Sequence, residues 1–465
     1  MPFNFMPFAL KMRDIGASEL QIEAFRRNCV KAFSDKGCFI SEDEIAPVGE
    51  LPTFNQLPTL SEERNHELLQ ACAVIKLNGG LATTMGLEGG PKSLVRAHGQ
   101  SSFLDLTVRQ ILSKRENLGS KALPLILMNS FNTSSQTMES LRKYFDSSEQ
   151  PVATEIAQSR VPRIEADSLT PYVSSTDPLS EWCPPGHGDL YLSLFVSGLL
   201  VELLSHGIKY IFVSNIDNLG AGLDMRIPAW MASQNYPMVM EVSRRCLADR
   251  KGGHLAKDVH GTFVLRESAM CKPEEREYFA DIERYRYFNT NNLWFDAEAL
   301  YRLIASQDGL LDLPVIRNAK ILYDNLGKAC RVYQVESACG SIISSWPEAQ
   351  ALEVPRQRFV PVKGLSDLML VRSDLFSIDS DYSIDCIRKD FALPLISLPA
   401  EVRSLDDLEH MLPYGVPSLR DCTSLTIEGP VVFGKNVKCE GDVKIAAASE
   451  TFIPDKTILS GEISF

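Results

Sequence analysis

The sequence predicts an α/β fold, with strands and helices alternating around a mostly parallel sheet and a β-rich tail behind it. Three observations carry that reading. From Ala71 onward, short apolar runs alternate with stretches of helical periodicity. The first of these runs ends in a glycine-rich loop. Near residue 390 the texture changes to short β-rich units about six residues apart.

The elements follow in order. Residues Ser18 to Phe33 place Leu20, Ile22, Phe25, Cys29, Val30 and Phe33 at helical spacing, and a stretch with Pro47, Pro52 and Pro58 follows, so residues 1–70 read as a helical arm and linker. Ala71–Leu77 is a short apolar strand. Ser102 to Asn117 is helical, Leu123–Met128 a strand, Thr133–Phe145 a helix, and Tyr210–Ser214 and Met238–Val242 are strands. These place an α/β domain over residues 71–385. Such sheets bind ligands at the carboxyl ends of their strands, which directs attention to the loops after Leu77 and Ser214. The tail, residues 386–465, contains Leu425-Thr-Ile-Glu-Gly429, Val431-Val-Phe-Gly434, Val437-Lys-Cys-Glu-Gly441 and Val443-Lys-Ile445, the repeat expected of a small parallel β-helix.

Bulk properties narrow the function. The chain has 465 residues, enough for about three domains at roughly 100–200 residues each. A net charge of −13 and a pI of about 5.2 argue against a nucleic-acid or anionic-membrane surface, but not against one pocket with a few local cations. The eleven cysteines include no CxxC pair, so neither a zinc ribbon nor a disulfide framework is expected, and reduced thiols imply a cytoplasmic location. Met1 to Arg13 lacks a basic start before an apolar run, unlike a signal peptide. Leu190 to Leu204 is helix-like and apolar, but Ser193, Ser197 and Glu202 interrupt it and it is too short to span a bilayer.

The strand at 71–77 runs into Asn78-Gly-Gly-Leu-Ala-Thr-Thr-Met-Gly-Leu-Glu-Gly-Gly-Pro-Lys92, with five glycines in the thirteen residues 78–90. Glycine lets a backbone approach a ligand closely, and the N–H groups of such a loop can face phosphate oxygens. Lys92 adds a point charge suited to a triphosphate. The loop is neither GxxxxGK[ST] nor GxGxxG. Asp217 lies just beyond an apolar strand, where a carboxylate can hold Mg²⁺ beside phosphates. Gln158 offers both a hydrogen-bond donor and an acceptor.

The segment LNGGLATTMG…GPKS resembles the signature loop of the eukaryotic-type UTP–glucose-1-phosphate uridylyltransferases, usually LNGGLGTxMG…GPKS. Further blocks agree in order: Met128-Asn-Ser-Phe-Asn-Thr133, Gln158-Ser-Arg-Val-Pro-Arg163, Pro184-Pro-Gly-His-Gly-Asp-Leu-Tyr191, Ser214-Asn-Ile-Asp-Asn-Leu-Gly220, Phe288-Asn-Thr-Asn-Asn-Leu-Trp294, Val354–Lys363 and the tail from Ile427 to Val437. The resemblance covers about residues 70–465. It implies a Rossmann-like, GT-A-like nucleotidyltransferase with a mixed sheet flanked by helices and a C-terminal left-handed parallel β-helix. The implied reaction joins UTP and glucose 1-phosphate into UDP-glucose and pyrophosphate with Mg²⁺.

Carried over block by block, the resemblance makes Lys92 and Lys363 the catalytic cations on the UTP phosphates. Leu77, Asn78, Gly79, Gly80, Gln158 and Gly186 would bind the rest of UTP. His187, Asn215, Asp217, Glu241, Gly253 and Asn292, with Asn291 beside it, would face the sugar phosphate, and Asp217 would be the metal ligand. Three departures stand out: Ala82 where glycine is usual, an extra residue at Glu88-Gly89-Gly90, and Arg286 in place of lysine. The alternatives are a sister enzyme using N-acetylglucosamine 1-phosphate or several sugar phosphates, and a nucleotide-sugar-binding protein without catalysis. The tail also offers a face through which copies of the chain could associate.

Overall fold

The computed structural model describes residues 3–34, 38–86, 90–119, 122–145, 152–323, 329–389 and 391–465. At its centre is a ten-stranded sheet. Cys72–Asn78 runs parallel to Tyr210–Asn215 on one side, with Leu77 opposite Asn215, and to Leu125–Asn129 on the other, with Asn78 opposite Asn129. Glu155–Ala157 extends this parallel half. Beyond Tyr210–Asn215 the direction reverses. The long strand Tyr287–Asp296 pairs antiparallel with it and with Met238–Arg244, so the sheet is mixed rather than mostly parallel.

Every residue of Cys72–Asn78 is buried, which explains its unbroken apolar run: both faces of the sheet are covered. Alternate side chains enter different layers. Val74, Leu125, Leu127, Phe212 and Trp294 pack with the helix Phe103–Leu118, and Phe212 and Trp294 stack at 4.5 Å. Ala73, Ile75, Leu77, Ile211 and Val213 face the helices Leu190–Ser197, Leu199–Ser205 and Ala297–Ser306. The helix Phe103–Leu118 starts at Ser102, whose hydroxyl accepts the Asp105 N–H at 3.1 Å, and stops at the left-handed Gly119.

Several boundaries differ from the sequence reading. The helix expected over Thr133–Phe145 is Ser134–Leu141. The stretch Leu190–Leu204 is two helices bent by 67° at Gly198, and no single helix among the described residues is long and apolar enough to cross a membrane. The Phe- and Met-rich start contains a helix of its own, Met6–Asp14. With Glu19–Ala32 it buries Phe8, Met12, Ile22 and Phe25 against Val161, Trp182, Val315 and Val335. The arm thereby backs the hairpin Val315–Tyr323 and Ala329–Ser337.

The tail forms two parallel sheets. Leu395–Ser397, Ser418–Glu428, Lys438–Ala446 and Ile458–Ser464 make one, and Val431–Phe433 with Thr451–Ile453 the other. Ile427, Ile445 and Ile463 lie in register across the first sheet, and the core formed by Leu425, Phe433, Val443 and Ile453 is continuous with the layer under Phe103–Leu118.

Candidate active site

A cleft with room of about 320 Å³ opens where the parallel strands Cys72–Asn78 and Tyr210–Asn215 end. The loop after the first strand contributes Leu77, Asn78, Gly79, Gly80 and Lys92, and the loop after the second contributes Asn215 and Asp217. Gln158 enters from beyond Glu155–Ala157, Gly186 and His187 from the turn before Leu190–Ser197, and Lys363 from the opposite side. Sequence positions 77 to 363 thus meet at the carboxyl edge of the sheet.

The charge pattern centres on Asp217. Its Oδ2 accepts from Lys92 Nζ at 2.7 Å and lies 3.8 Å from Lys363 Nζ, while its buried Oδ1 has no hydrogen-bond partner among the described residues. Burial pushes the carboxyl up, but Lys363 and Lys92 outweigh it and hold the group below the ordinary carboxylate range. Among the described residues no cluster of three or more His, Cys, Asp or Glu side chains is arranged to hold a metal. A cation on Asp217 would therefore be completed by phosphate oxygens and water, as suits Mg²⁺.

On the other wall, the Gln158 N–H donates to Asn129 O at 2.8 Å, and its buried Oε1 is unpartnered among the described residues. Gly79 leaves room for that side chain, because a Cβ there would sit 2.5 Å from Gln158 Oε1 and force the amide to move. Gly186, at φ +83°, approaches so closely that a Cβ would meet Ser337 O at 2.5 Å. The Asn78 side chain points into the fold, donating to Asn129 Oδ1 at 2.7 Å and Thr137 Oγ1 at 3.1 Å, so its side chain secures the loop. His187 Nδ1 accepts the Cys339 N–H at 2.9 Å, which leaves the proton on Nε2. Burial, helped by Lys363, pushes its pKa down to about 4. The ring is therefore neutral near pH 7, with its N–H on Nε2.

Glu241, Asn292 and Gly253, expected on the sugar side, stand outside the cleft wall. Glu241 is fully buried and its carboxylate is engaged. Oε1 accepts from Arg358 Nη2 at 2.6 Å and Trp294 Nε1 at 2.8 Å, and Oε2 accepts from Arg358 Nε at 2.7 Å and Asn292 Nδ2 at 3.2 Å. Asn292 Oδ1 in turn accepts from Asn218 Nδ2 at 3.1 Å, and Asn218 Oδ1 accepts the Val360 N–H at 2.8 Å. This network joins the loop that carries Asp217 to the segment that carries Lys363, and Val362 N–H reaches Asp217 O at 3.1 Å. Gly253 is packed under the Glu267 carboxylate, 2.5 Å from its would-be Cβ. Asn291 Nδ2 donates to Asn215 Oδ1 at 2.9 Å and so orients Asn215.

Sequence reasoning missed Gln334 and Glu336, which line the cleft from Ala329–Ser337. Their signal was the polar alternation around buried Val335. It also missed Lys76, a buried ammonium in the central strand that donates to Ser214 Oγ at 2.8 Å and Ala221 O at 3.2 Å. Two departures have a physical account. Ala82 is buried with ordinary dihedrals (φ −84°, ψ 31°), so its methyl group fits. Arg286 turns outward to Glu50 at 2.6 Å. The extra residue at Glu88-Gly89-Gly90 falls on 87–89, outside the described residues.

Two ammonium groups leaning on one carboxylate, beside a glycine-lined wall at a sheet's carboxyl edge, suit a polyphosphate that displaces those contacts, and define a nucleotide-binding α/β transferase. A family profile described as UTP–glucose-1-phosphate uridylyltransferase matches residues 22–440. The Saccharomyces cerevisiae UTP–glucose-1-phosphate uridylyltransferase is 39% identical over 406 residues, covering 86% of this chain and 79% of that protein. The crystal structure of UDP-glucose phosphorylase from Trypanosoma brucei superposes with a TM-score of 0.92 at 39% identity, covering 99% of both chains. A Leishmania major UDP-glucose pyrophosphorylase mutant in complex with UDP-glucose gives 0.92 at 36% identity over 100% of both chains. The chain belongs to the UTP–glucose-1-phosphate uridylyltransferase family.

Proposed function

We propose that the protein transfers a uridylyl group from UTP to glucose 1-phosphate, forming UDP-glucose and pyrophosphate reversibly. The observation that carries this reading is the meeting of Lys92 and Lys363 on Asp217 at the mouth of the glycine loop. A phosphate oxygen of the sugar attacks the α-phosphorus of UTP. The new P–O bond forms as the bond to the bridging oxygen breaks, and that electron pair leaves with pyrophosphate. The attacking oxygen is already ionised, so charge neutralisation and alignment matter more than proton transfer.

Lys92 and Lys363 would hold the phosphates. Leu77, Gly79, Gly80, Gln158 and Gly186 would hold the nucleoside, with Gln158 reading the uracil edge. His187 would donate from Nε2, and Asn215 would orient the sugar phosphate. Glu241 and Asn292 act one layer below by keeping the two halves of the site together. Mg²⁺, held by Asp217 with phosphate oxygens and water, would supply charge neutralisation during transfer. The eleven cysteines, with no CxxC pair among them, support a cytosolic setting. The parallel tail strands, whose partners recur 18 positions apart from Leu425 to Val443 and from Val443 to Gly461, support a left-handed β-helix that could carry self-association. Turnover of UTP bearing a chiral α-thiophosphate tests the single displacement: inversion at phosphorus is expected, and retention would point to a covalent uridylyl-enzyme.

A further inference from the structure

The carboxylate of Asp189 stands behind the cleft, two residues past His187, and no step of the proposed reaction uses it. It is almost fully buried. Its Oδ2 accepts the Ser159 backbone N–H at 2.6 Å and the Ser193 hydroxyl at 3.0 Å, and its Oδ1 accepts the Ser159 hydroxyl at 3.0 Å. Ser159 follows Gln158, and Asp189 follows the Gly186–His187 turn, so one carboxylate joins two chain segments that supply separate parts of the same wall. Between them the gap is narrow, with Gln158 Nε2 3.5 Å from Gly186 O.

The joint extends outward. The Ser159 hydroxyl, having donated to Asp189, accepts from Gln21 Nε2 at 3.2 Å. Gln21 belongs to the capping box at Ser18, where its Oε1 accepts the Ser18 N–H at 2.9 Å, so its amide is held with the NH₂ toward Ser159. A line of hydrogen bonds therefore runs from the first turn of the arm helix Glu19–Ala32 to the cleft.

We propose that Asp189 is a positioning residue for the nucleotide: through Ser159 and the turn at Gly186–His187 it sets the spacing between Gln158 and Gly186, and through Gln21 the N-terminal arm takes part in that setting. This rests on the reading that the cleft binds UTP. A buried charged acceptor engaged by three donors is costly to replace, and its geometry is shared by both walls. Burial pushes the Asp189 carboxyl up to about 6 despite those donors. Protonation would turn one acceptor into a donor facing the same N–H and O–H groups, so the joint should loosen in mild acid. The other charged or titratable groups around it are His187, Tyr191, Arg27, Lys31 and Asp312. Arg27 is paired with Glu23 and Lys31 with Asp312, and His187 is neutral.

The test compares the native full chain with Asp189→Asn, Ser159→Ala and Gln21→Ala in steady-state kinetics and UTP calorimetry. Loss of one hydrogen bond to a charged group corresponds to about tenfold. The expected result for Asp189→Asn is a KM for UTP about tenfold higher, a smaller rise in the KM for glucose 1-phosphate through His187, and weaker preference for UTP over CTP. Ser159→Ala and Gln21→Ala should shift the same constants in the same direction by less. The native KM for UTP should also rise more steeply than that of Asp189→Asn between about pH 7.5 and about pH 5.5. Equal KM values for UTP in all four proteins would overturn the proposal. So would losses shared evenly by both substrates alongside a lower Tm. If Asp189→Asn does not fold, the two milder variants decide by the same constants. If the native chain binds no UTP, the parent reading fails instead.

Discussion

Replacing Lys76 by methionine should make the protein more stable and less active. Lys76 is buried between Ile75 and Leu77, with its ammonium 5.8 Å from the Phe212 ring. Burial, reinforced by Arg358, pushes its pKa from 10.5 to about 7, against the pull of Asp217 and Glu241. At about 1.4 kcal/mol per pKa unit, keeping it charged inside the fold costs about 5 kcal/mol. Methionine removes that cost but leaves Ala221 O and Ser214 without their donor, a loss of about 1–3 kcal/mol. The net gain at neutral pH is about 2–4 kcal/mol.

The pH dependence is more diagnostic. The unfolded lysine keeps its proton up to about 10.5 and the folded one releases it near about 7, so stability from this group rises with pH across that window. From pH 7 to pH 9 the rise is about 2 kcal/mol. Buried thiols such as Cys183 and Cys339, pushed up to about 12, act in the opposite sense above about pH 8. Only the difference between Lys76→Met and the native chain isolates the lysine. Guanidinium unfolding of both at pH 7 and pH 9 should show the methionine advantage shrinking by about 2 kcal/mol. Parallel curves, or a methionine variant destabilised at pH 7, would refute a buried, strained ammonium. Activity should fall regardless, because Lys76 ties Ala221, in the loop that carries Asp217, to the sheet.

Other consequences follow from the same geometry. Arg358→Met strands the Glu241 carboxylate and should cost about 3–5 kcal/mol in chemical denaturation, with much of that recovered when Glu241→Met is added. Gly79→Ala places a methyl group on Gln158 Oε1 and should raise the KM for UTP by about tenfold or more with little change in Tm. With its pKa pushed down to about 4, His187 should leave kcat without an inflection near the ordinary histidine value of 6.5; an inflection there that vanishes in His187→Gln would contradict a neutral donor.

The convergence of the glycine loop, Lys92 and Asp217 on one cleft was legible because their signals are local. Glycines directly after a buried strand, a lysine at the loop's end and an aspartate past the next strand declare themselves in short windows. Lys363 was not legible on those grounds, since a lone lysine looks solvated until its segment is matched to family blocks. The Glu241–Arg358–Asn292 network escaped for a different reason. A buried ion pair has the same letters as a surface one, and only the fold shows that it spans the sheet. The antiparallel insertion of Tyr287–Asp296 was hidden because a strand covered on both faces reads the same in either direction. Gly198 looked like a residue within one apolar helix, yet its left-handed conformation divides it.

The most direct test of uridylyl transfer at this cleft is pyrophosphate release from UTP with glucose 1-phosphate or N-acetylglucosamine 1-phosphate, with and without Mg²⁺, alongside Lys363→Ala. Strong release with glucose 1-phosphate, lost without Mg²⁺ and in Lys363→Ala, is the expected result. A folded native protein that binds UTP but releases no pyrophosphate with any sugar phosphate would contradict it and leave a nucleotide-sugar-binding protein without catalysis.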